Sequence, residues 1–189
     1  YLLLLSKCYI LCERSKVNMK YEFNVRIKDN FLEDSKFKVL YNKVPFYNYS
    51  HNDNSIKYVN HIWYSAEAPE DVAEYLKNQC EKEFNLKLKI NLCSFTMLAT
   101  VEPIVHCDYK ENECSHQVIV YLRGNENLHK GTGFYTSKDN DHHELNTHIG
   151  FKQNRAIFWN SEVLHSPLNW SADDKSKRFS LIAQYQEIK

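Results

Sequence analysis

Residues 106 to 108 in the middle of the chain place an imidazole and a carboxylate two positions apart. His106 and Asp108 follow the apolar segment 103–105. Successive side chains of a strand point to opposite faces, so we expect these two side chains to share a face. A carboxylate buried beside apolar residues costs several kcal/mol unless it has a partner or water. A hydrogen-bonded pair at a strand end and a metal site both fit this spacing.

A metal site of this kind needs a further ligand from elsewhere in the chain. His-x-Asp supplies two ligands, and the facial triad of non-haem iron sites adds a second imidazole. His165 is the best candidate, because it follows the apolar run 155–160 after a short connection. The polar stretch 137–146, which contains His142 and His143, is expected to be a solvated loop.

A zinc cluster is a second interpretation of the same region. Cys107, Cys114 and His116 would supply its ligands. The spacing Cys-x6-Cys-x-His lacks the short ligand pairing of structural zinc sites, and no second cysteine pair follows. Cys107 also points away from its two neighbours if the strand is regular, so one ion could not use both sets.

One helix is clearly predicted before this region. Pro69, Glu70 and Asp71 suit a first turn, where a missing N–H costs nothing and negative charge meets the helix dipole. Apolar residues then recur at every fourth position, which predicts an amphipathic helix over 69–84. These residues are Val72, Leu76, Cys80 and Phe84.

From residue 86 onward the apolar pattern changes to a period of two or to short apolar runs. Segments rich in Asn, Asp, Lys and Gly separate these runs. Several short strands after a helix predict an antiparallel β sandwich or barrel with helices packed on one side. The predicted strands are 86–99, 116–122, 131–136, 155–160 and 178–186.

Composition limits the class of protein. The chain has 189 residues with 43% hydrophobic, which is enough for one substantial core. Lys plus Arg and Asp plus Glu both number 24, so the chain has no excess of positive charge. Sequence-independent binding of nucleic acid, which depends on neutralising phosphates, therefore has little support. Six scattered cysteines are too few for a disulfide framework. We expect reduced thiols and a cytoplasmic protein.

The first residues, YLLLLSKCYILC, look like a targeting segment but lack its parts. No basic region precedes the apolar run, Lys7 interrupts it, and it is too short to span a bilayer. We hypothesise that residues 1–18 are an upstream extension of a protein that starts at Met19, with 19–189 as a single domain. A native N-terminal strand or anchor is the alternative. No membrane partner is expected.

The ordered motifs of residues 88–187 resemble the Fe(II)/2-oxoglutarate-dependent dioxygenases, and most of all their prolyl-hydroxylase-type branch. HCD matches the His-x-Asp motif of that superfamily, and NRAIFWNSEVLHSP is similar to the strand that runs into its distal histidine. The other similar segments in this range are VIVYL, GTGFY and KRFSLIAQYQ, which makes five motifs, and IKDNFLED near the start also resembles the N-terminal strand and turn of that superfamily. Each motif is weak alone, but five in the right order are specific. Gly-Thr-Gly stands where that branch has paired glycines in a turn.

This resemblance implies a fold and a metal site. The fold would be mainly β with flanking helices, an α+β arrangement built on a double-stranded β-helix (jelly-roll, cupin-like) core. His106, Asp108 and His165 would bind Fe(II) and form the catalytic centre. Three facial ligands leave three positions on an octahedral iron, two for 2-oxoglutarate and one for O2.

The resemblance also implies a binding site for the distal carboxylate of 2-oxoglutarate. Arg178 would make two charge-assisted hydrogen bonds to it. Tyr121 would donate its hydroxyl, and Ser180 would add a third bond. A surface arginine and a core tyrosine are the structural alternatives for the first two residues.

The implied activity is hydroxylation coupled to decarboxylation of 2-oxoglutarate to succinate, with ascorbate as a possible reductant. A peptidyl prolyl or another protein side chain is the favoured substrate, and a small molecule stays open. A non-catalytic cupin-like metal-binding or structural module is the main alternative. A hydrolytic zinc enzyme, with Glu162 near His165 as base, is a third.

Overall fold

The computed structural model of the protein describes residues 25–51, 62–100, 105–108, 114–137, 142–169 and 177–188. The proposed extension 1–18 lies outside these ranges. Within the described ranges, no helix combines the length and the apolar character needed to cross a membrane.

Among the described residues, two α-helices precede most of the strands. Helix α1 (Asp34–Lys43) runs into a short 3₁₀ turn (Val44–Phe46), and helix α2 is Glu70–Phe84. The prediction of α2 is confirmed, since all four residues of its predicted apolar face are buried. Helix α1 was not predicted. Leu40 is its one fully buried residue, so the sequence carries too little helical periodicity to reveal it.

In the described part of the chain, ten strands form two antiparallel sheets. The large sheet has the order β1-β8-β5-β10-β4-β3-β2, and the small sheet has the order β7-β6-β9. The strands are β1 (Val25–Lys28), β2 (Ser50–His51), β3 (Ile62–Glu67), β4 (Leu88–Thr100), β5 (His116–Arg123), β6 (Asn127–Ser137), β7 (His143–Phe151), β8 (Ala156–Asn160), β9 (Leu164–Leu168) and β10 (Arg178–Glu187).

Two apolar clusters lie on opposite faces of the large sheet. On β5, Val118 and Val120 belong to the cluster that contains the buried residues of both helices. Ile119 and Tyr121 alternate with them and belong to the second cluster, which includes residues of the small sheet. The period-two pattern thus divides the sheet into a helix-facing side and an inner face that meets the small sheet. This is the expected mainly β fold with a jelly-roll core and α2 packed on one sheet.

Hydrogen bonds join Asp29 and Leu32 to residues 152–155, in the turn between β7 and β8. Asp29 accepts hydrogen bonds from Arg155 Nε at 2.6 Å and Nη2 at 3.1 Å, and from Lys152 Nζ at 2.8 Å. The Asn154 side chain bonds both the N–H and the carbonyl of Leu32, each at 2.9 Å. Asn154 adopts a left-handed φ of 58°, a conformation that asparagine tolerates better than most residues.

Three local expectations are corrected. The polar stretch 137–146 is not a loop throughout, because β7 already begins at His143. The first four residues of β7 are exposed, and β7 is an edge strand of the small sheet, where a strand needs no buried apolar face. Gly131 and Gly133 lie within β6 and pair with both β7 and β9, so they do not form a turn. The segment 105–108 forms one isolated bridge and no regular strand.

Candidate metal centre

His106 and His165 are held together by their own backbones. The His106 N–H donates to the His165 carbonyl at 3.0 Å, and the His165 N–H donates to the His106 carbonyl at 2.8 Å. The two imidazole centroids lie 4.5 Å apart. Histidine 165 follows a tight turn in which the Val163 N–H bonds the Asn160 carbonyl at 3.0 Å. The short connection between β8 and β9 thereby sets the position of the distal histidine.

Asp108 completes the cluster. Its N–H donates to the Ser161 carbonyl at 3.2 Å, and its Oδ2 lies 3.4 Å from His165 Nε2 and 3.8 Å from His106 Nε2. One ligand atom from each of the three residues lies within 4.8 Å of the others. The three side chains are therefore close enough to hold one metal ion between them. The donor set of two imidazoles and a carboxylate fits Fe(II).

The surroundings of Asp108 favour its charged form. Burial alone would raise its pKa, but a hydrogen bond with His165 and the charges of both histidines outweigh burial and lower it, with a smaller contribution from Gln117. The His165 Nδ1 lies 3.1 Å from the Val163 carbonyl, which leaves Nε2 directed to the cluster. A deprotonated carboxylate and an imidazole oriented through its other nitrogen are what a divalent cation requires.

A second polar cluster, formed by Arg178, Tyr121, Thr132 and Ser180, lies between the two sheets. Arg178 is 2% exposed, donates from Nη1 to the Gly131 carbonyl at 3.3 Å, and places its guanidinium 5.4 Å from the Tyr121 ring centre. Tyr121 and Thr132 share a hydroxyl hydrogen bond of 2.7 Å. Ser180 is fully buried, and its hydroxyl has no partner among the described residues. Arg178 is therefore not a surface arginine.

Burial shifts both ionisable groups of this second cluster. It lowers the pKa of Arg178, against the opposing effect of Tyr121. It raises the pKa of Tyr121, against the opposing effect of Arg178, so this phenol is a neutral donor. A guanidinium still carries its charge at neutral pH. The interior thus contains a fixed cation and a neutral hydroxyl, which together suit a carboxylate.

Strand β5 relates the two polar clusters to each other. Tyr121 and Gln117 both lie on its inner face, four residues or about 13 Å apart. Ile119 lies between them on the same face, beside Ile157 of β8. The interior is therefore polar at both ends and apolar in the middle, as the chain of a dicarboxylate requires.

The alternative zinc ligands are not brought together. Cys114 is buried and its Sγ lies 2.9 Å from Ser161 Oγ, while the His116 ring stacks on Phe158 at 5.3 Å on the helix-facing side. Across the described part of the chain, His106, Asp108 and His165 are the one group of three potential ligands.

Three residues near these clusters were missed by sequence reasoning. Thr132 bonds Tyr121, Gln117 faces Asp108, and Trp159 packs on His165 with a centroid distance of 5.0 Å. The one sequence signal for Thr132 was the Gly-Thr-Gly that replaces the paired glycines of the similar branch. Gln117 and Trp159 looked like ordinary strand residues. Their register on β5 and β8, with Gln117 opposite Trp159, places them side by side.

An open groove of about 710 Å³ lies away from these clusters, along β3, β4 and the start of α2. Glu67, Glu70 and Glu74 line it together with serine and asparagine side chains. It contains none of the metal-ligand candidates, so the His-Asp-His cluster is the better candidate for chemistry.

Sequence comparison finds no matching family profile and no curated relative. Similar folds are nevertheless found among solved structures. One is a prolyl hydroxylase from Trichoplax adhaerens in complex with a peptide fragment of the hypoxia-inducible-factor oxygen degradation domain. The identity to it is 18%, with 96% of this chain and 91% of that chain covered and a TM-score of 0.61.

Two further solved structures are similar to this chain. The non-heme alpha-ketoglutarate-dependent epimerase SnoN of nogalamycin biosynthesis is 10% identical, covers 96% and 82% of the two chains and has a TM-score of 0.65. HygX from Streptomyces hygroscopicus, with nickel and 2-oxoglutarate bound, is 7% identical, covers 86% and 82% and has a TM-score of 0.61. The chain has the double-stranded β-helix fold of 2-oxoglutarate-Fe(II) oxygenases, and the predicted resemblance is confirmed at the level of fold.

Proposed function

We propose that this protein is an Fe(II)- and 2-oxoglutarate-dependent oxygenase that hydroxylates its substrate. His106, Asp108 and His165 would hold the iron. Bound iron and 2-oxoglutarate would supply the oxidising chemistry, in which O2 is consumed, 2-oxoglutarate loses CO2 to give succinate, and the substrate gains a hydroxyl. The two polar clusters and the apolar residues between them on β5 and β8 support this assignment.

The protein's own side chains would bind and orient the cosubstrate. Arg178 would pair with the distal carboxylate, and Tyr121 would donate its hydroxyl to the same group. Ser180, whose buried hydroxyl has no partner among the described residues, would donate a third bond. Ile119 and Ile157 would exclude water from the space between the carboxylate and the metal.

The observation that carries the proposal is the burial of Arg178 in the same interior as the three potential ligands. Burying a guanidinium has a large desolvation cost, which its pKa reflects. A structural jelly roll has no use for a buried cation in its metal cavity, whereas an enzyme that binds a dicarboxylate does. This favours the oxygenase over the non-catalytic module.

For the substrate we propose a peptidyl prolyl residue or another protein side chain. A structurally similar protein binds a peptide fragment, which supports this class. A second similar protein is an epimerase of nogalamycin biosynthesis, so a small-molecule substrate is the alternative.

The decisive experiment is anaerobic titration of the Fe(II)-loaded protein with 2-oxoglutarate, while the weak visible charge-transfer band of bidentate keto-acid chelation is recorded. We expect the band in the parent protein and its loss in His165→Ala. The matched control is His129→Ala, which removes an exposed imidazole from β6 and should leave the band unchanged.

Arg178→Lys tests the other end of the pocket. A lysine keeps the charge but loses the planar pair of donors, so the 2-oxoglutarate concentration needed for half-maximal band intensity should rise about tenfold. Iron binding without the band would refute the oxygenase and favour the metal-binding module. A band that persists in His165→Ala would remove this residue from the ligand set.

A further inference from the structure

Trp159 packs against His165, one of the three potential metal ligands. Its indole ring meets the His165 imidazole edge-on at 5.0 Å and the Phe134 ring at 5.4 Å. Phe134 is the register partner of His165 on the small sheet. Trp159 thus reaches from the inner face of the large sheet to the strand that carries the distal histidine.

The indole nitrogen of Trp159 is a buried donor without an acceptor. The residue is 3% exposed, and its Nε1 has no hydrogen-bond partner among the described residues. A buried donor that is left unsatisfied costs about 1–3 kcal/mol. A phenylalanine would fill much of the same space without that cost, so the donor calls for an acceptor that arrives with a ligand.

A second donor lies beside the first. Gln117, directly opposite Trp159 in the β5–β8 register, is 5% exposed. Its side-chain amide lies close enough to Asp108 for a weak hydrogen bond that lowers the pKa of that carboxylate, and Nε2 has no acceptor of full hydrogen-bond geometry among the described residues. Two buried N–H donors on neighbouring strands, next to two potential ligands, form a site for an oxygen atom with negative charge.

We propose that the indole N–H of Trp159, assisted by the Gln117 amide, binds the carboxylate of a 2-oxo acid at its metal-bound end. This inference rests on the proposed function and adds a recognition element to it. Arg178 and Tyr121 would select the distal carboxylate, and Trp159 with Gln117 the carboxylate next to the oxo group. The pocket would then discriminate 2-oxo dicarboxylates from dicarboxylates of the same length without the oxo group.

The fluorescence of Trp159 itself tests the proposal. In the double variant Trp63→Phe, Trp170→Phe, the only remaining indole is Trp159. The protein is loaded with Zn²⁺, whose closed shell does not quench through ligand-field states, and titrated with 2-oxoglutarate. We expect the emission to move to longer wavelength as the N–H gains a charged acceptor. Glutarate, which cannot chelate the metal, should leave the emission unchanged.

Affinity provides the second readout. Trp159→Phe should weaken 2-oxoglutarate binding to the Zn²⁺-loaded protein, measured by calorimetry, by about tenfold or more, as expected for the loss of one hydrogen bond to a charged acceptor. Phe134→Leu is the control, because it alters packing against the same indole without removing a donor. Its affinity should stay within about twofold of the parent.

The outcomes separate this inference from the proposed function. If 2-oxoglutarate binds but the Trp159 emission does not shift, or shifts equally with glutarate, the inference is overturned and the oxygenase assignment stands. If Trp159→Phe is unstable, the emission experiment decides alone, because it keeps this residue intact. If the parent protein binds no 2-oxoglutarate, both proposals are refuted.

Discussion

The ion pair between Asp29 and Arg155 predicts a defined dependence of stability on pH. Replacing Asp29 by asparagine keeps the shape of the side chain and removes its charge. The hydrogen bonds that the Asp29 carboxylate accepts from Arg155 and Lys152 are the main cause of its lowered pKa, and the variant loses their ionic character. We expect Asp29→Asn to lower the free energy of unfolding at pH 7.

The magnitude follows from the pKa of Asp29, which falls from 3.8 to about 2 in the folded protein. At about 1.4 kcal/mol for each pH unit, this sets an upper limit of about 2.5 kcal/mol. The Asp29 side chain is 35% exposed, so solvent screening reduces the expected loss to about 1 kcal/mol.

The sign of the pH dependence is fixed because the folded-state pKa lies below the unfolded-state value. The contribution of Asp29 is complete at pH well above 4, falls to about half at pH 3, and is largely lost near pH 2. Urea unfolding of the parent and of Asp29→Asn at pH 7 and pH 3 measures it. The difference between the two proteins should shrink at the lower pH.

The matched control is Asp71→Asn. Asp71 pairs with Lys36 at 3.3 Å, but its side chain is 74% exposed, so the expected loss is only a few tenths of a kcal/mol. A loss for Asp29→Asn that is equal at pH 7 and pH 3 would refute an electrostatic origin. Equal losses for the two variants would refute the role assigned to partial burial.

Two further predictions concern close packing and thiol chemistry. A Cβ at Gly131 would clash with the Ile149 backbone carbonyl, so Gly131→Ala should cost about 3 kcal/mol in urea unfolding. A Cβ at Gly133 would first meet movable side-chain atoms at 2.9 Å, so Gly133→Ala should cost clearly less, and equal costs would contradict this reasoning. Burial raises the pKa of Cys80 and of Cys93 to about 12. Peptide mapping after iodoacetamide treatment at pH 8 should therefore find both thiols unmodified in the folded protein and modified in urea. Rapid labelling of either thiol in the folded state would contradict this prediction.

Strongly patterned elements were predictable from the sequence, whereas elements stabilised by remote partners were not. The four-residue apolar repeat of α2 and the alternation of β5 each report a buried face directly. Helix α1 buries little, and the first half of β7 is polar and exposed, so neither has a periodic signal. The clamp of Asn154 on Leu32 joins residues 122 positions apart, which no local pattern encodes.

The same distinction holds for the candidate site. His106, Asp108 and His165 were predictable as a group because their residue types are unusual beside apolar runs. Trp159 and Gln117 were not, because a tryptophan or glutamine in a strand has many ordinary explanations. Only the register between β5 and β8 and the absence of acceptors among the described residues set these two apart.

The position of β10 in the large sheet has a consequence for how the protein is made. Strand β10 follows the other nine described strands in the sequence but lies between β4 and β5, so neither of these two strands has this neighbour until β10 has been synthesised. Pairing between strands so distant in sequence is slow, and the growing chain exposes unpaired strand edges in the meantime. Arg178 is the first residue of β10. The arginine that we propose for cosubstrate binding therefore enters the interior in the same step that completes the described sheet, and the proposed 2-oxoglutarate site cannot form before β10 has paired.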